Sequence, residues 1–222
     1  MPIELDHIFV WASPTGEEAR ALTEFGLSEG TPNTHPGQGT ACRRFFFRNA
    51  YLELLWVTNP AEVQSATIRP THLWERWNAR GTACPFGLCF RPDAQENCSI
   101  PFPTWEYRPS YLPEALSFHA GTNAGVLNEP VLFYLPFSRR PDAQSAPKKQ
   151  VTEHAAGLHK LTRVELIGPN AESLSPAFEA VLSTSVVRRR EGTRHFVELG
   201  FDGESKGRVA DFRPGLPIVF TW

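Results

Sequence analysis

The chain has 222 residues, enough to bury one large core or two modest ones without disulfide staples. Hydrophobic residues at 41% and charged residues at 21% place it in the soluble globular range and exclude long disorder or a coiled-coil rod. A net charge of -2 gives no overall pull toward nucleic acid or anionic lipid, and no apolar run approaches the roughly 18 residues needed to span a bilayer.

The opening segment IELDHIFVWA is β-favouring, and SPTGEEARALTEFGL follows with Ser13 as N-cap, Pro14 at the first helical position and Gly26 as the stop. Ala19, Leu22 and Phe25 recur at helical spacing, so this helix lays one apolar stripe on a sheet. After the Gly/Pro-rich connection GTPNTHPGQGT, the runs CRRFFFRN and AYLELLWV read as two strands joined tightly at Asn49 and Ala50. Residues 3–58 therefore spell a βαβββ module, its second strand the least defined.

THLWERWNAR reads as a short amphipathic helix. CPFGLCFRP, FPTWEYRPSY, LSFHAG and EPVLFYLPF then read as strands with no helix among them, a degenerate middle module over 84–137. RRPDAQSAPKKQVTEHAA has few apolar residues and predicts an exposed loop over 138–156. HKLTRVELIG followed by PNAESLSPAFEAVLST repeats the opening layout, with a polar cap at Asn170 and a stripe of Leu174, Phe178, Val181 and Leu182. With SVVRRREG, TRHFVELGFDG and GRVADFRPGLPIVFTW as three more strands, 158–222 is expected to form a second βαβββ unit. The expectation is one domain over 1–222.

Cys42, Cys84, Cys89 and Cys98 lack the paired short spacing of zinc knuckles, and the N-terminus lacks a signal-peptide layout, so a reduced, cytoplasmic protein is expected. HPGQGTACRR has neither the spacing, the Lys nor the following helix of a dinucleotide or phosphate loop. Its His35, with Arg43, is a candidate substrate contact from the rim, the competing and commoner reading being a flexible exposed histidine. Cys84 and Cys89 are expected to pack as small hydrophobes, and the run Arg188, Arg189, Arg190 to be a solvated strand or turn.

LDHIFVWA, HPGQGTACRRFFFRNAYLELLWV and the end GLPIVFTW resemble the glyoxalase-like family of the vicinal-oxygen-chelate superfamily. The likeness is closest over residues 1–60 and looser through YRPSYLP, EPVLFYLP and GLHKLTRVELIGP. It implies an α+β fold: a glyoxalase-like cup of mixed β-sheet built from βαβββ modules, with helices on the outer face. It also implies a concave site for a divalent metal (Zn, Fe, Mn or Ni) and a small-molecule substrate with vicinal oxygens, with lyase, isomerase or dioxygenase chemistry. Metal-free binding proteins share the fold, so a sequestering role is the alternative. Modules of such proteins pair within one chain or across a homodimer.

Period-two alternation puts Leu5, His7, Phe9 and Trp11 on one face of the first strand, and Tyr51, Glu53, Leu55 and Val57 on one face of the fourth. Glu53 is the only charge in its strand, and a buried carboxylate requires a cation, a metal or dense hydrogen bonding. His7 and Glu53 also match the first-module metal-ligand positions implied by the resemblance, which makes them both the catalytic and the metal candidates. The competing reading has Glu53 held by an arginine or backbone groups and His7 as a satisfied core histidine. In the middle module Gly87 and Phe133 stand where ligands would be expected. Aligning LDHIFV with LTRVEL sets Arg163 against His7, so Arg163 is expected in the cup, receiving a substrate anion or tying down Glu53. Arg43, Tyr51 and Tyr107 are further substrate-binding candidates, Glu198 a weak imitation of Glu53, and His119 and His159 are expected to have local partners. A third expectation is a cup filled by its own Phe9, Trp11, Tyr51 and Leu55.

Overall fold

The computed structural model describes residues 3–93, 99–170 and 173–222. Its first strand, β1 (Ile3–Trp11), is central: it pairs in parallel with β4 (Tyr51–Val57) and antiparallel with β5 (Phe86–Pro92). Beyond β4 lie β3 (Thr40–Phe46) and the short edge strand β2 (Asn33–His35). Beyond β5 lie β8 (Val131–Tyr134), β7 (Phe118–Gly121) and β6 (Thr104–Tyr107). The order β2-β3-β4-β1-β5-β8-β7-β6 writes one four-strand arrangement twice, joined at the β1–β5 ladder. Strand twist accumulates across the eight strands and curls this sheet into a half-barrel with one concave face.

The partner of the first module is thus the middle unit of the same chain. Residues 158–222, expected to form a second βαβββ unit, build a separate five-stranded sheet from β9 (Leu161–Gly168), β10 (Arg188–Glu191), β11 (Phe196–Phe201), β12 (Val209–Asp211) and β13 (Ile218–Thr221). Its order, β10-β9-β11-β13-β12, does not repeat the module, and GRVADFRPGLPIVFTW supplies two strands where one was expected. The resemblance of LTRVEL to LDHIFV is one of local strand-then-helix layout. The middle unit shows no helix between β5 and β6 among its described residues, which hides its kinship to the first.

The helix α1 (Ala19–Phe25) ends at Gly26 in the left-handed conformation, as the sequence predicts, but starts later than Pro14. Thr15 and Gly16 both have positive φ and break the first turn, and Gly16 lies so close to Trp56 and the Arg43 stem that a Cβ would be crowded at 3.0 and 3.1 Å. Helix α4 (Pro176–Ser183) likewise starts after Asn170 and Leu174, because Ser175 accepts from Phe178 N at 3.2 Å and Pro176 takes the first helical position.

One apolar core joins the two sheets. Ile8, Val10, Leu52, Leu54, Leu88 and Phe90 on the convex face of the first sheet meet Val164, Leu166, Val197, Leu199 and Phe220 of the second, with α1 and α4 at its margins. A second cluster lies on the concave side, where Phe9, Trp11, Leu55, Val131 and Phe133 pack under α2 (Pro60–Val63) and α3 (Leu73–Asn78). The 138–156 segment runs along the rim, mostly exposed, but pinned by Gln150 Oε1, which accepts from Thr31 N at 3.0 Å, and by buried His154, which accepts from Ser28 N at 3.0 Å. No described helix is long and apolar enough to cross a membrane.

Candidate functional site

The concave face opens into a cavity of about 860 Å³, so the cup is not filled by its own side chains. Its polar floor comes from the first module. In β1 the register with β5 shifts between Leu5 and His7: Leu5 faces Phe90 and His7 faces Cys89, leaving Asp6 as the extra residue of a bulge. The bulge resets the alternation. Leu5 turns into the convex core, contrary to the simple period-two expectation, while His7, Phe9 and Trp11 face the cup. It also turns the Asp6 carboxylate back onto its neighbour, with Oδ1 2.7 Å from His7 Nδ1.

Asp6 is 1% exposed and also accepts from Arg91 Nη1 at 3.3 Å and from the Ser138 hydroxyl. Burial pushes its pKa up, but the hydrogen bond and charge of His7, the Arg91 guanidinium and Ser138 outweigh that and hold the carboxyl below its ordinary value. An ionised Asp6 only accepts, so His7 Nδ1 carries a hydrogen. The other ring nitrogen, Nε2, faces Glu53 Oε2 at 3.3 Å. Both are buried, at 7% and 5% exposure. The imidazole is further fixed by Tyr51, which lies opposite it in the β1–β4 register and stacks on it at 4.3 Å and 18°.

Strands β2 and β3 complete the wall beside Glu53. The Cys42 thiol lies beside the Glu53 carboxylate, and burial first, then the charge of that carboxylate, push its pKa strongly up. His35 is held by Thr40 Oγ1 at 2.9 Å on Nδ1 and by Asn33 Nδ2 at 3.1 Å on Nε2, and burial holds its pKa below the ordinary value. It is ordered, not the flexible histidine expected from sequence. Ligand atoms of His35, Cys42 and Glu53 lie within 4.8 Å of one another. An imidazole, a thiol and a carboxylate, with the His7 imidazole beside them and a carboxylate behind that ring, form a donor set that fits a borderline divalent ion of the zinc kind. All of these donors belong to the first module.

The opposite half of the cup offers apolar surface. Gly87 stands close against Phe9, whose ring occupies the space a side chain there would take, and Phe133 lines the wall. Tyr107 lines the cavity as expected, but its hydroxyl donates to Gln38 Oε1 at 2.7 Å, with Tyr111 adding a longer bond at 3.4 Å to the same oxygen. Burial pushes the Tyr51, Tyr107 and Tyr111 phenols up, so all three stay protonated at neutral pH.

Two expected cup residues lie elsewhere. Arg163 sits on the outward face of β9, where Val164 and Leu166 take the inward positions. Its guanidinium holds Glu204 at 2.7 Å, Glu165 at 3.0 Å and Glu198 at 3.2 Å, so neither it nor Glu198 reaches the cup. Arg43 points away from the cavity and clamps Glu29 at 2.5 and 2.7 Å, while its neighbour Arg44 lines the cup. His119 faces Tyr134 and His159 lies by Asp202 and Glu153, local partners as expected. Cys89 lines the cavity and Cys84 is buried, its thiol pushed up to about 11 by burial, in keeping with inert packing. Cys98 lies outside the described residues. Gln38 and Arg44, which line the cup, and Asp6 and Cys42, which lie against His7 and Glu53, are residues that sequence reasoning missed.

A paired-module half-barrel with a polar first-module floor defines a glyoxalase-like cup. Residues 5–109 match the family model described as a glyoxalase-like domain, so that span of the chain is similar to the family the sequence resembles. Among solved structures, a hypothetical protein from Staphylococcus aureus aligns over 99% of both chains at 11% identity with a TM-score of 0.51, a likeness of fold. A hypothetical protein from Bacillus halodurans C-125 aligns at 11% identity over 65% of this chain and 100% of its own, with a TM-score of 0.40. A methylmalonyl-CoA epimerase in complex with methylmalonyl-CoA aligns at 14% identity over 67% of this chain and 99% of its own, with a TM-score of 0.39. The search of curated proteins found no match.

Proposed function

We propose that the chain is a small-molecule enzyme that moves a proton at a carbon next to a carbonyl, on a substrate with adjacent oxygen atoms, as a lyase or isomerase does. The observation that supports this reading is the 3.3 Å approach of His7 Nε2 to the Glu53 carboxylate on the floor of a substrate-sized cavity. With the proton on His7, the Glu53 carboxylate is free to take the carbon-bound proton, and the released electron pair moves onto the carbonyl oxygen. His7 Nε2–H then supplies a proton to that oxygen, and reversal from Glu53 completes the transfer. Asp6 keeps Nδ1 protonated throughout and so aims Nε2 at the reacting group.

A divalent ion held by His7 and Glu53 with His35 or Cys42 would supply Lewis-acid polarisation of vicinal oxygens at the same place. A second reading, a metal-free binding protein, is favoured by Gly87 and Phe133, which leave the other half of the cup without ligands.

The test is hydrogen–deuterium exchange, followed by NMR, on 2-hydroxy ketones and 1,2-dicarbonyl compounds, with metal analysis of the untagged chain. Wild type should exchange the carbon-bound proton, and Glu53→Gln should slow that exchange about 100-fold or more. Equal exchange in both proteins refutes the proposal, and saturable binding with no exchange moves the chain to the binding reading. Stoichiometric metal that is lost in Glu53→Gln supports the metal-assisted form.

A further inference from the structure

We propose that Arg44, assisted by Lys148, is an oxyanion subsite at the mouth of the cup, and that the substrate of the reaction proposed above carries a carboxylate or phosphate group. Arg44 lines the cavity, half-buried, and lies opposite Glu53 in the β3–β4 register. Its Nε donates to Thr31 O at 2.9 Å and its head lies 5.1 Å from the centre of the Phe46 ring, which together fix the guanidinium plane. Among the described residues neither terminal nitrogen has a protein hydrogen bond and no carboxylate lies within ion-pair distance of the group. The neighbouring Arg43 shows the contrast, with Glu29 held by two of its nitrogens.

Lys148 reaches the same cavity from the 138–156 segment and has no ion pair among the described residues. Thr31 ties the two cations together: its carbonyl holds Arg44 and its N–H holds Gln150, two residues after Lys148. Among the described residues Glu53 is the only carboxylate lining the cavity, and it already faces His7 Nε2 at 3.3 Å. A fixed guanidinium with two free, roughly parallel donors matches the two oxygens of a carboxylate or phosphate. Because Arg44 and Glu53 occupy facing backbone positions on adjacent strands, an anion held there would bring the rest of a small substrate over the floor of the cup.

The subsite rests on the proposed reaction only for the identity of the ligand as substrate, and binding tests it independently of turnover. Benzoate, its neutral counterpart benzamide, and phenyl phosphate are titrated into the full chain by tryptophan fluorescence and ligand-observed NMR. Wild type should bind benzoate saturably and about tenfold or more tighter than benzamide. Arg44→Met should bring benzoate to the benzamide level, Arg44→Lys should fall between, and Lys148→Met should weaken benzoate about twofold. Thermal melts confirm that each variant is folded, and Arg44→Lys retains the charge and most of the stem. Competition between benzoate and phenyl phosphate assigns the group: whichever displaces the other names it. Glu53→Gln should still bind the anion even where exchange is lost. Anion binding that depends on Arg44 without any proton exchange would sink the enzyme reading and leave the subsite standing. Equal affinity for benzoate and benzamide, no saturable anion binding, or an Arg44→Met variant that binds as wild type overturns the subsite.

Discussion

Replacing Asp6 by Asn tests the element on which the site's proton arrangement depends. The carboxylate takes donors from three directions, His7, Arg91 and Ser138, at 1% exposure. An amide of the same shape has one acceptor oxygen and one NH2 group, so it cannot serve both sides. If its oxygen faces His7, its NH2 meets the Arg91 guanidinium, donor against donor. If its NH2 faces His7, the imidazole must move its hydrogen to Nε2 and present Nδ1 as an acceptor. Breaking one partner of a buried charge pair costs about 3–5 kcal/mol. Arg91 keeps Glu4 at 2.7 Å and Asn49 O at 2.6 Å, which places Asp6→Asn at the lower end, about 3 kcal/mol. Urea unfolding followed by circular dichroism would show this as a lowered midpoint at unchanged slope. A variant within about 0.5 kcal/mol of wild type would refute the buried network described here, since that is the range of an ordinary surface change.

Arg163→Met should lower stability by about 2 kcal/mol, because three carboxylates lose their shared cation, while leaving benzoate binding unchanged; weakened binding would return Arg163 to the cup. Gly87→Ala should cost about 1–3 kcal/mol and force the Phe9 ring toward the cavity, seen as a lowered melting temperature and weaker ligand binding; an unperturbed variant would show that the β5–Phe9 contact is loose. Burial holds His35, His154 and His195 below the ordinary histidine value. Their neutral forms therefore stabilise the fold fully above the unfolded value of 6.5, and that contribution is lost as pH falls below it. The melting temperature should drop between pH 7.5 and about 5, and a flat profile over that range would contradict the assignment. Asp6 adds a separate loss at lower pH, since its carboxyl is held below 3.8 and its stabilisation disappears only as pH falls through that folded value.

What was legible in the sequence was what alternation and strong local pattern determine. Glu53 stood out as a lone charge in an apolar strand, and alternation put His7 and Tyr51 on the face that lines the cup, where Tyr107 also lies. Asp6 was invisible because period-two reasoning sends it to the other face, and only a bulge set by pairing with β5, some 80 residues away, turns it back. The choice of Arg43 over Arg44 failed for a related reason. Two adjacent arginines occupy opposite faces, and which one looks inward is decided by the β3–β4 register, not by the local run. Arg163 was misplaced because a strand-then-helix layout repeats locally without saying which sheet the strand joins; its outward position follows from the apolar Val164 and Leu166 beside it.

The division between the two halves of the cup has a consequence for what the cavity can accept. Every polar group on the floor, His7, Glu53, Cys42 and His35, comes from the first module, together with Arg44 above them. The second module faces them with Phe118, Phe133 and the Tyr107 ring, whose hydroxyl is turned aside to Gln38. A uniformly polar ligand would leave hydrogen-bonding groups unmet against that second wall, at a cost of about 1–3 kcal/mol for each. A purely apolar one would strand the buried Glu53 and His7 away from water with only each other and Cys42. The cup is therefore matched to an amphipathic molecule, oxygen-bearing along one edge and apolar along the other. That orientation would carry its oxygen-bearing edge over His7 and Glu53 without any ligand from the second half.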